Sequence, residues 1–263
     1  MKIVAFDLDD TLAPSKSPLP PRMNTALQAL LDRVEVCVIS GAHFTQFDGQ
    51  LLSQMTATED ELARLHLMPT CGTRYERYSN GKWSTVYSHA LSEETRTHAK
   101  RIIEQTAREL GLWEENPVGP IIEDRGSQLT FSALGQQARF EDKQAWDPSG
   151  EKRTRLRDAI APQVPDLEVR SGGSTSIDMT EKGIDKAYGI RQLLEKTGYR
   201  DDELIFIGDR LDRSGNDYPV KAAGFQTIAV RNWEETVEII ERIIDDLDVG
   251  RDPFKRVDEH TQN

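Results

Sequence analysis

Residues 3 to 12 read IVAFDLDDTL. Ile3, Val4, Ala5 and Phe6 form a short continuous apolar run, the pattern of a strand covered on both faces in a parallel sheet. Active sites of open α/β sheets lie just beyond the carboxyl ends of such strands. Asp7 and Asp9 follow the run two residues apart, so strand alternation turns both carboxyl groups to one side, where they can converge on one reacting centre. Thr11 and the turn after it expose backbone N–H groups that favour an anion such as phosphate. An acidic turn that merely closes the strand is the plain alternative. A calcium loop fits poorly, because the spaced oxygen ligands, central Gly and terminal Glu of an EF-hand are missing.

Two further apolar strands end at the same kind of position, and a helix opens between them. Residues 34 to 41, VEVCVISG, are a second apolar strand ending in Ser40 and Gly41. A hydroxyl and a slim backbone there suit phosphate oxygens, and equally suit a turn that caps the next helix. Residues 204 to 209, LIFIGD, are a third strand ending in Asp209, followed by LDRSGND with Asp212, Asn216 and Asp217. Between them, GIDKAYGIRQLLEKTG places Lys186 in the first turn of an amphipathic helix whose apolar side is Ala187, Ile190 and Leu194, with Gly198 at its C-terminal end. Lys186 taken alone reads as a solvated surface lysine. The shared placement of these residues at strand ends argues for one site.

At 263 residues the chain is long enough for one domain with a second inserted in it. A formal net charge of −12, spread along the sequence, argues against nucleic acid and anionic membrane surfaces as partners. Cys37 and Cys71 form no metal-binding pair, and Cys37 reads as a small core residue. His43, His66, His89, His98 and His260 show no paired metal spacing and read as scaffold or surface. The first strand begins at residue 3, and no run of about 18 apolar residues occurs. The expectation is a cytoplasmic protein.

Along the chain, Pro20 to Val34 is a helix with Met23, Leu27, Leu30, Leu31 and Val34 as its buried stripe. Residues 42 to 66 read as mainly helical, and LMPTCGTRYERY suggests a strand pair with GKW near a turn. A second domain is expected from 84 to 182: a helix from Ser92 to Leu110 with a Ser92-Glu-Glu-Thr start, strands around 120 to 134, a helix near 150 to 164, and strands around 167 to 180. The first domain then comprises 1–83 and 183–248, closing with a strand at Thr227 to Val230 and a helix near 233 to 247. Residues 249–263 read as a polar tail.

DLDDT, VISG, GIDK and GDRLDRSGND together resemble the four sequence motifs of the haloacid dehalogenase (HAD) superfamily, over about residues 1 to 247. Within it, SGGSTSIDMTEKGIDKAYGI (171–190), FIGDRLDRSGNDYPV (206–220) and, more faintly, RGSQLTFSALGQQA (125–138) are similar to the large-cap, IIB-type members that include the eukaryotic-type phosphomannomutases. The resemblance implies an α/β fold: a Rossmann-like HAD core with a central parallel sheet plus an inserted α+β cap domain.

It also implies chemistry. Asp7 would attack phosphorus and form an aspartyl-phosphate. Asp9 would protonate the leaving oxygen and later deprotonate the incoming hydroxyl. Mg²⁺, which prefers hard oxygen ligands, would take the Asp7 and Asp209 carboxylates and the Asp9 backbone carbonyl, with Asp217 and Asn216 one layer behind. Ser40, Gly41 and Lys186 would hold the phosphate. In the cap, Arg125 would bind a remote phosphate, and Ser176 and Asp178 sugar hydroxyls.

Two departures shape the expected function. Gln136 stands where the mutase pattern has an arginine, and GPIIEDR lacks a further upstream arginine. An insertion from Arg139 to Trp146 is a third difference. A mutase must bind a bisphosphorylated sugar in either orientation and needs cations away from the Mg²⁺ site. The expectation is therefore a Mg²⁺-dependent phosphatase acting on a small phosphorylated metabolite, a sugar phosphate, with phosphomannomutase activity as the alternative. A noncatalytic metabolite-binding protein is the reading from another class, opposed by the intact Asp7, Asp9, Lys186 and Asp209. A small phosphorylated substrate and a homodimer are the expected partners.

Overall fold

A computed structural model describes residues 1–213, 215–251 and 253. In chain order the elements are β1 (Ile3–Phe6), α1 (Pro21–Leu31), β2 (Glu35–Ile39), α2 (Phe44–Gln50), α3 (Glu59–Leu62), β3 (Leu65–Met68), β4 (Arg74–Ser79) and β5 (Lys82–Ser88). Then follow α4 (Glu93–Glu109), β6 (Ile122–Asp124), β7 (Gln128–Ser132), α5 (Phe140–Trp146), α6 (Glu151–Ile160), β8 (Leu167–Ser171) and β9 (Ser176–Glu181). The chain closes with α7 (Lys186–Thr197), β10 (Leu204–Gly208), α8 (Tyr218–Ala222), β11 (Gln226–Ala229) and α9 (Trp233–Asp248). These elements divide into two compact units, Met1–Ser88 with residues from Asp185 onward, and His89–Ile184.

The first unit is built on a seven-stranded sheet of order β11-β10-β1-β2-β3-β4-β5. Its first five strands run parallel, and the β4–β5 hairpin extends the β3 side antiparallel. β1 is central: Ala5 lies between Cys37 of β2 and Phe206 of β10. Every residue of β1 is fully buried, as its unbroken apolar run demands. One sheet face packs on α1 and α9 through Val4, Phe6, Leu27, Leu30, Val237 and Ile240. The other packs on α7 through Ile3, Ala5, Ile190 and Leu193. Among the described residues no helix is long and apolar enough to cross a membrane.

The second unit is a four-stranded antiparallel sheet, β6-β7-β9-β8. Leu129, Phe131, Ile177 and Met179 project from one face onto Ala99, Ile103 and Ala107 of α4 and Leu156 and Ile160 of α6. The intervening positions, Gln128, Thr130, Ser132, Ser176, Asp178 and Thr180, are all polar and share the opposite face.

The boundary expected at 84 falls inside β5. That strand pairs with β4 as far as Arg74↔Ser88, so the chain leaves the first sheet only at His89. The return falls at Asp185 rather than 183, because the Ile184 N–H still donates to the Glu181 carbonyl of the cap at 3.1 Å. The insertion, read from sequence without an element, carries the helix α5, and Trp146 at its end packs against the second unit's core. The polar tail, from 254 on, and His260 within it lie outside the described residues.

Candidate active site

Asp7 is the first residue past β1, and its N–H donates to the Ile207 carbonyl of β10 at 3.0 Å. Its carboxyl group is almost wholly buried. Lys186, the first residue of α7, is fully buried as well, which excludes the solvated surface role. Its Nζ lies 2.6 Å from Asp7 Oδ1 and 2.6 Å from Asp217 Oδ1. Asp185 caps this helix by accepting the Tyr188 N–H at 3.0 Å. Two glycines let the helix come so close. A Cβ on Gly72 would run into the Gly189 backbone, and one on Gly189 into the Ile39 side chain and the Cys71 carbonyl.

Asp209 follows β10 and is fixed by Thr11, whose hydroxyl donates to Asp209 Oδ1 at 3.2 Å and accepts the Asp209 N–H at 3.1 Å. Asp217 is fully buried, and its Oδ2 accepts the Arg210 N–H at 3.0 Å. The absence of a side chain on Gly208 makes room for it, since a Cβ there would overlap the Asp217 carboxylate. One oxygen each from Asp7, Asp209 and Asp217 lies within 4.8 Å of the others.

The charge balance of this cluster is uneven. Burial pushes the Asp7 carboxyl up to about 8, with Lys186 opposing the rise and Asp217 adding to it. Burial and the Asp217 charge likewise raise Asp209. Burial works against the Lys186 ammonium too, but Asp217 and Asp7 outweigh it and hold the lysine charged. One buried ammonium thus serves three carboxylates, and a second, hard cation suits their oxygens. The donor set fits a metal site. Asp217, expected one layer behind the ligands, has its carboxylate inside this cluster.

The Asp9 side chain has partners of its own. Its carboxylate is outside the cluster and is held by the Lys16 N–H at 2.7 Å, Gln46 Nε2 at 3.1 Å and Gln50 Nε2 at 3.2 Å. Just after it, Asp10 adopts a left-handed φ of 60°, and the chain folds back so that the Asp10 N–H donates to the Ala13 carbonyl at 2.7 Å. Strand alternation stops at that bend.

Ser40 is buried at the end of β2, where its Oγ accepts the Ala42 N–H at 3.2 Å. The hydroxyl proton is not used in that bond. Gly41 follows it, and Asn216 leads into Asp217 in a partly exposed loop.

In the second unit, Arg125 donates through Nε and Nη2 to Glu123 Oε2 at 3.0 and 2.7 Å. Asp178 Oδ1 accepts from Gln128 Nε2 at 3.0 Å and from the Thr130 hydroxyl at 2.7 Å. Ser176, two residues before it, shares its face of β9. Sequence reasoning missed the Thr11 hydroxyl, Gln46 and Gln50. The i, i+4 spacing of the two glutamines on a helix just past a strand end was the available signal.

The fold and this arrangement of residues define a HAD-type phosphotransferase. The family model for eukaryotic phosphomannomutase matches residues 23–246, and the chain belongs to that family. It is 24% identical over 258 residues to the phosphomannomutase of Encephalitozoon cuniculi (strain GB-M1), covering 94% of this chain and 95% of that protein. It is 26% identical over 250 residues to that of Schizosaccharomyces pombe, covering 92% and 93%. Among solved structures, the IMP-bound, N-terminally truncated IMP-nucleotidase of Plasmodium falciparum shares the fold with a TM-score of 0.68 at 15% identity, over 93% of this chain and 68% of that one. A trehalose-6-phosphate phosphatase related protein gives 0.55 at 16% identity, over 95% and 99%.

Proposed function

We propose that this protein is a Mg²⁺-dependent phosphomannomutase, moving a phosphoryl group between the 1- and 6-oxygens of mannose through an aspartyl-phosphate on Asp7. The observation that carries the proposal is Asp7 buried against Lys186, with Asp209 and Asp217 around it, in a chain of the phosphomannomutase family. The names of the relatives favour this reading over the phosphatase that the sequence departures suggested.

Asp7 attacks phosphorus in line, and the bond to the sugar oxygen breaks. Asp9 gives that oxygen its proton and, in the second half-reaction, takes one from the incoming hydroxyl. Lys186 offsets the charge that Asp7 and a phosphate dianion bring together, and the Ser40 hydroxyl and Gly41 N–H hold phosphoryl oxygens. Mg²⁺, when bound by Asp7, Asp209 and the Asp9 carbonyl, supplies the remaining positive charge. Asp217 keeps Lys186 in place. In the cap, Arg125 receives the distal phosphate, and Ser176 and Asp178 read hydroxyls.

One observation favours hydrolysis as a second reading. The Arg125 charge is already answered by Glu123, and Gln136 brings no charge of its own. Weak capture of the distal phosphate would release the sugar and leave water to attack the aspartyl-phosphate. A ³¹P NMR time course with mannose 1-phosphate, Mg²⁺ and a trace of mannose 1,6-bisphosphate separates the two, with Asp7→Asn as control. Mannose 6-phosphate appearing only with the intact protein is the expected result. Inorganic phosphate in its place establishes the phosphatase, and neither product removes mannose phosphates from the case.

A further inference from the structure

Three N–H groups meet the carboxylate of Asp9, and they are not shared evenly. Oδ1 accepts the Lys16 N–H at 2.7 Å and Gln50 Nε2 at 3.2 Å. Oδ2 accepts Gln46 Nε2 at 3.1 Å, and the same nitrogen lies 3.5 Å from Oδ1. The same Gln46 amide donates to Gln50 Oε1 at 2.9 Å, which fixes the way the Gln50 amide faces. Gln50 is itself 5% exposed, and its backbone carbonyl accepts the Leu19 N–H at 2.8 Å, so the pair is anchored to the core.

A carboxylate offers about two acceptor directions on each oxygen. Both directions on Oδ1 are taken, and one remains on Oδ2. Placing a proton on Oδ1 would break a hydrogen bond to a backbone or buried amide, while placing it on Oδ2 breaks none. Amide donors also suit the task because they are neutral, and a lysine there would bind the carboxylate as an ion pair. From this geometry we infer that Gln46 and Gln50 are positioning residues for Asp9, making Oδ2 the oxygen that delivers and retrieves the proton. As Asp7 bonds to phosphorus and the phosphorus–oxygen ester bond breaks, the Oδ2 proton moves to the departing oxygen. In the return step Oδ2 receives the proton of the attacking hydroxyl.

The inference rests on Asp9 being the acid and base of the proposed reaction. It is tested with two donors of unequal leaving groups: mannose 1,6-bisphosphate, whose sugar oxygen must be protonated as it leaves, and p-nitrophenyl phosphate, whose phenolate leaves unprotonated. For Gln50→Leu and for Gln46→Leu, the ratio of the single-turnover rate of Asp7 phosphorylation by the bisphosphate to that by the aryl ester, read by rapid quench, is expected to fall about 10- to 100-fold, a part of what a general acid contributes, with the bisphosphate concentration for half-maximal rate unchanged. Gln46 lies outside the core, so its variant keeps the test open if Gln50→Leu folds poorly. An equal fall on both donors, or no fall, overturns the inference. Asp9→Asn assigns the failure: if its ratio falls while those of the glutamine variants do not, the clamp alone is wrong. If its ratio holds, the role of Asp9 is wrong and the clamp falls with it.

Discussion

Lys186 sits where two buried carboxylates each come within 2.6 Å of one ammonium, and its surroundings make it indispensable twice over. Lys186→Met fills the same volume but leaves Asp7 and Asp217 without their shared cation. Breaking such a buried network by removing one partner costs about 3–5 kcal/mol, and loss of a charge aimed at the transferring group costs about 10²–10³ in rate. Urea unfolding and phosphoryl-transfer rates on the same preparation check both figures. Sequence placed Lys186 in the first turn of a helix but left it between surface and site, because burial of a lysine depends on what packs over it. Here the helix that carries it is brought in by the approach of Gly189 to Gly72, two residues more than a hundred positions apart. Asp7 and Asp209 were legible because each ends an apolar run, a pattern carried by consecutive residues. Asp9 was legible as a residue, whereas its amide partners Gln46 and Gln50 stand on α2, some forty residues away in sequence.

Among the elements, α5 of the second unit shows most clearly what a sequence withholds. α5 has no buried residue, so no apolar period marks it, whereas α4 displays Ala99, Ile102, Ile103 and Thr106 on one side and was readable with its Ser92 cap. The residue after α5, Asp147, does the capping that Gly150 lacks a side chain to do. Its carboxylate accepts the Lys152 and Arg153 N–H groups and Arg153 Nε, each at 3.0 Å. Arg153 in turn donates to the Gly173 carbonyl at 2.8 Å, in the turn that leads into Ser176. Asp147→Ala is expected to destabilise the protein by about 2 kcal/mol, the upper end for a lost cap, measurable as a lower urea midpoint. Burial pushes the Asp147 carboxyl up, but the bonds from Arg153 and Lys152 prevail and hold it below the usual carboxylate range. Its folded pKa is therefore the lower one. The stabilisation is fully present above the unfolded value of about 4 and is lost as pH falls through the folded value. The gap between wild type and Asp147→Ala should accordingly close in acid, which unfolding curves at successive pH values would show.

For the molecule as a whole, three carboxyl groups gathered around one ammonium beyond the ends of β1 and β10 make stability depend on a second cation. Mg²⁺ binding only the folded state at about 100 times its dissociation constant adds about 2.7 kcal/mol. The melting temperature should rise with added Mg²⁺ and fall back with chelator. Asp209→Asn should abolish that response, and its persistence would place the ion elsewhere. The order of the strands carries one more consequence, for the way this chain is made. β1 lies between β2 and β10, with Ile3 opposite both Glu35 and Leu204. On a ribosome, which releases the N-terminus first, β1 gains its near partner early and waits about 165 further residues of synthesis for the far one. The segment 89–184, continuous in sequence, is complete before then. Lys186, Asp209 and Asp217 all arrive after it, so a nascent chain, or one ended before Lys186, holds Asp7 without the lysine and the two carboxylates around it and has no phosphotransfer chemistry to offer.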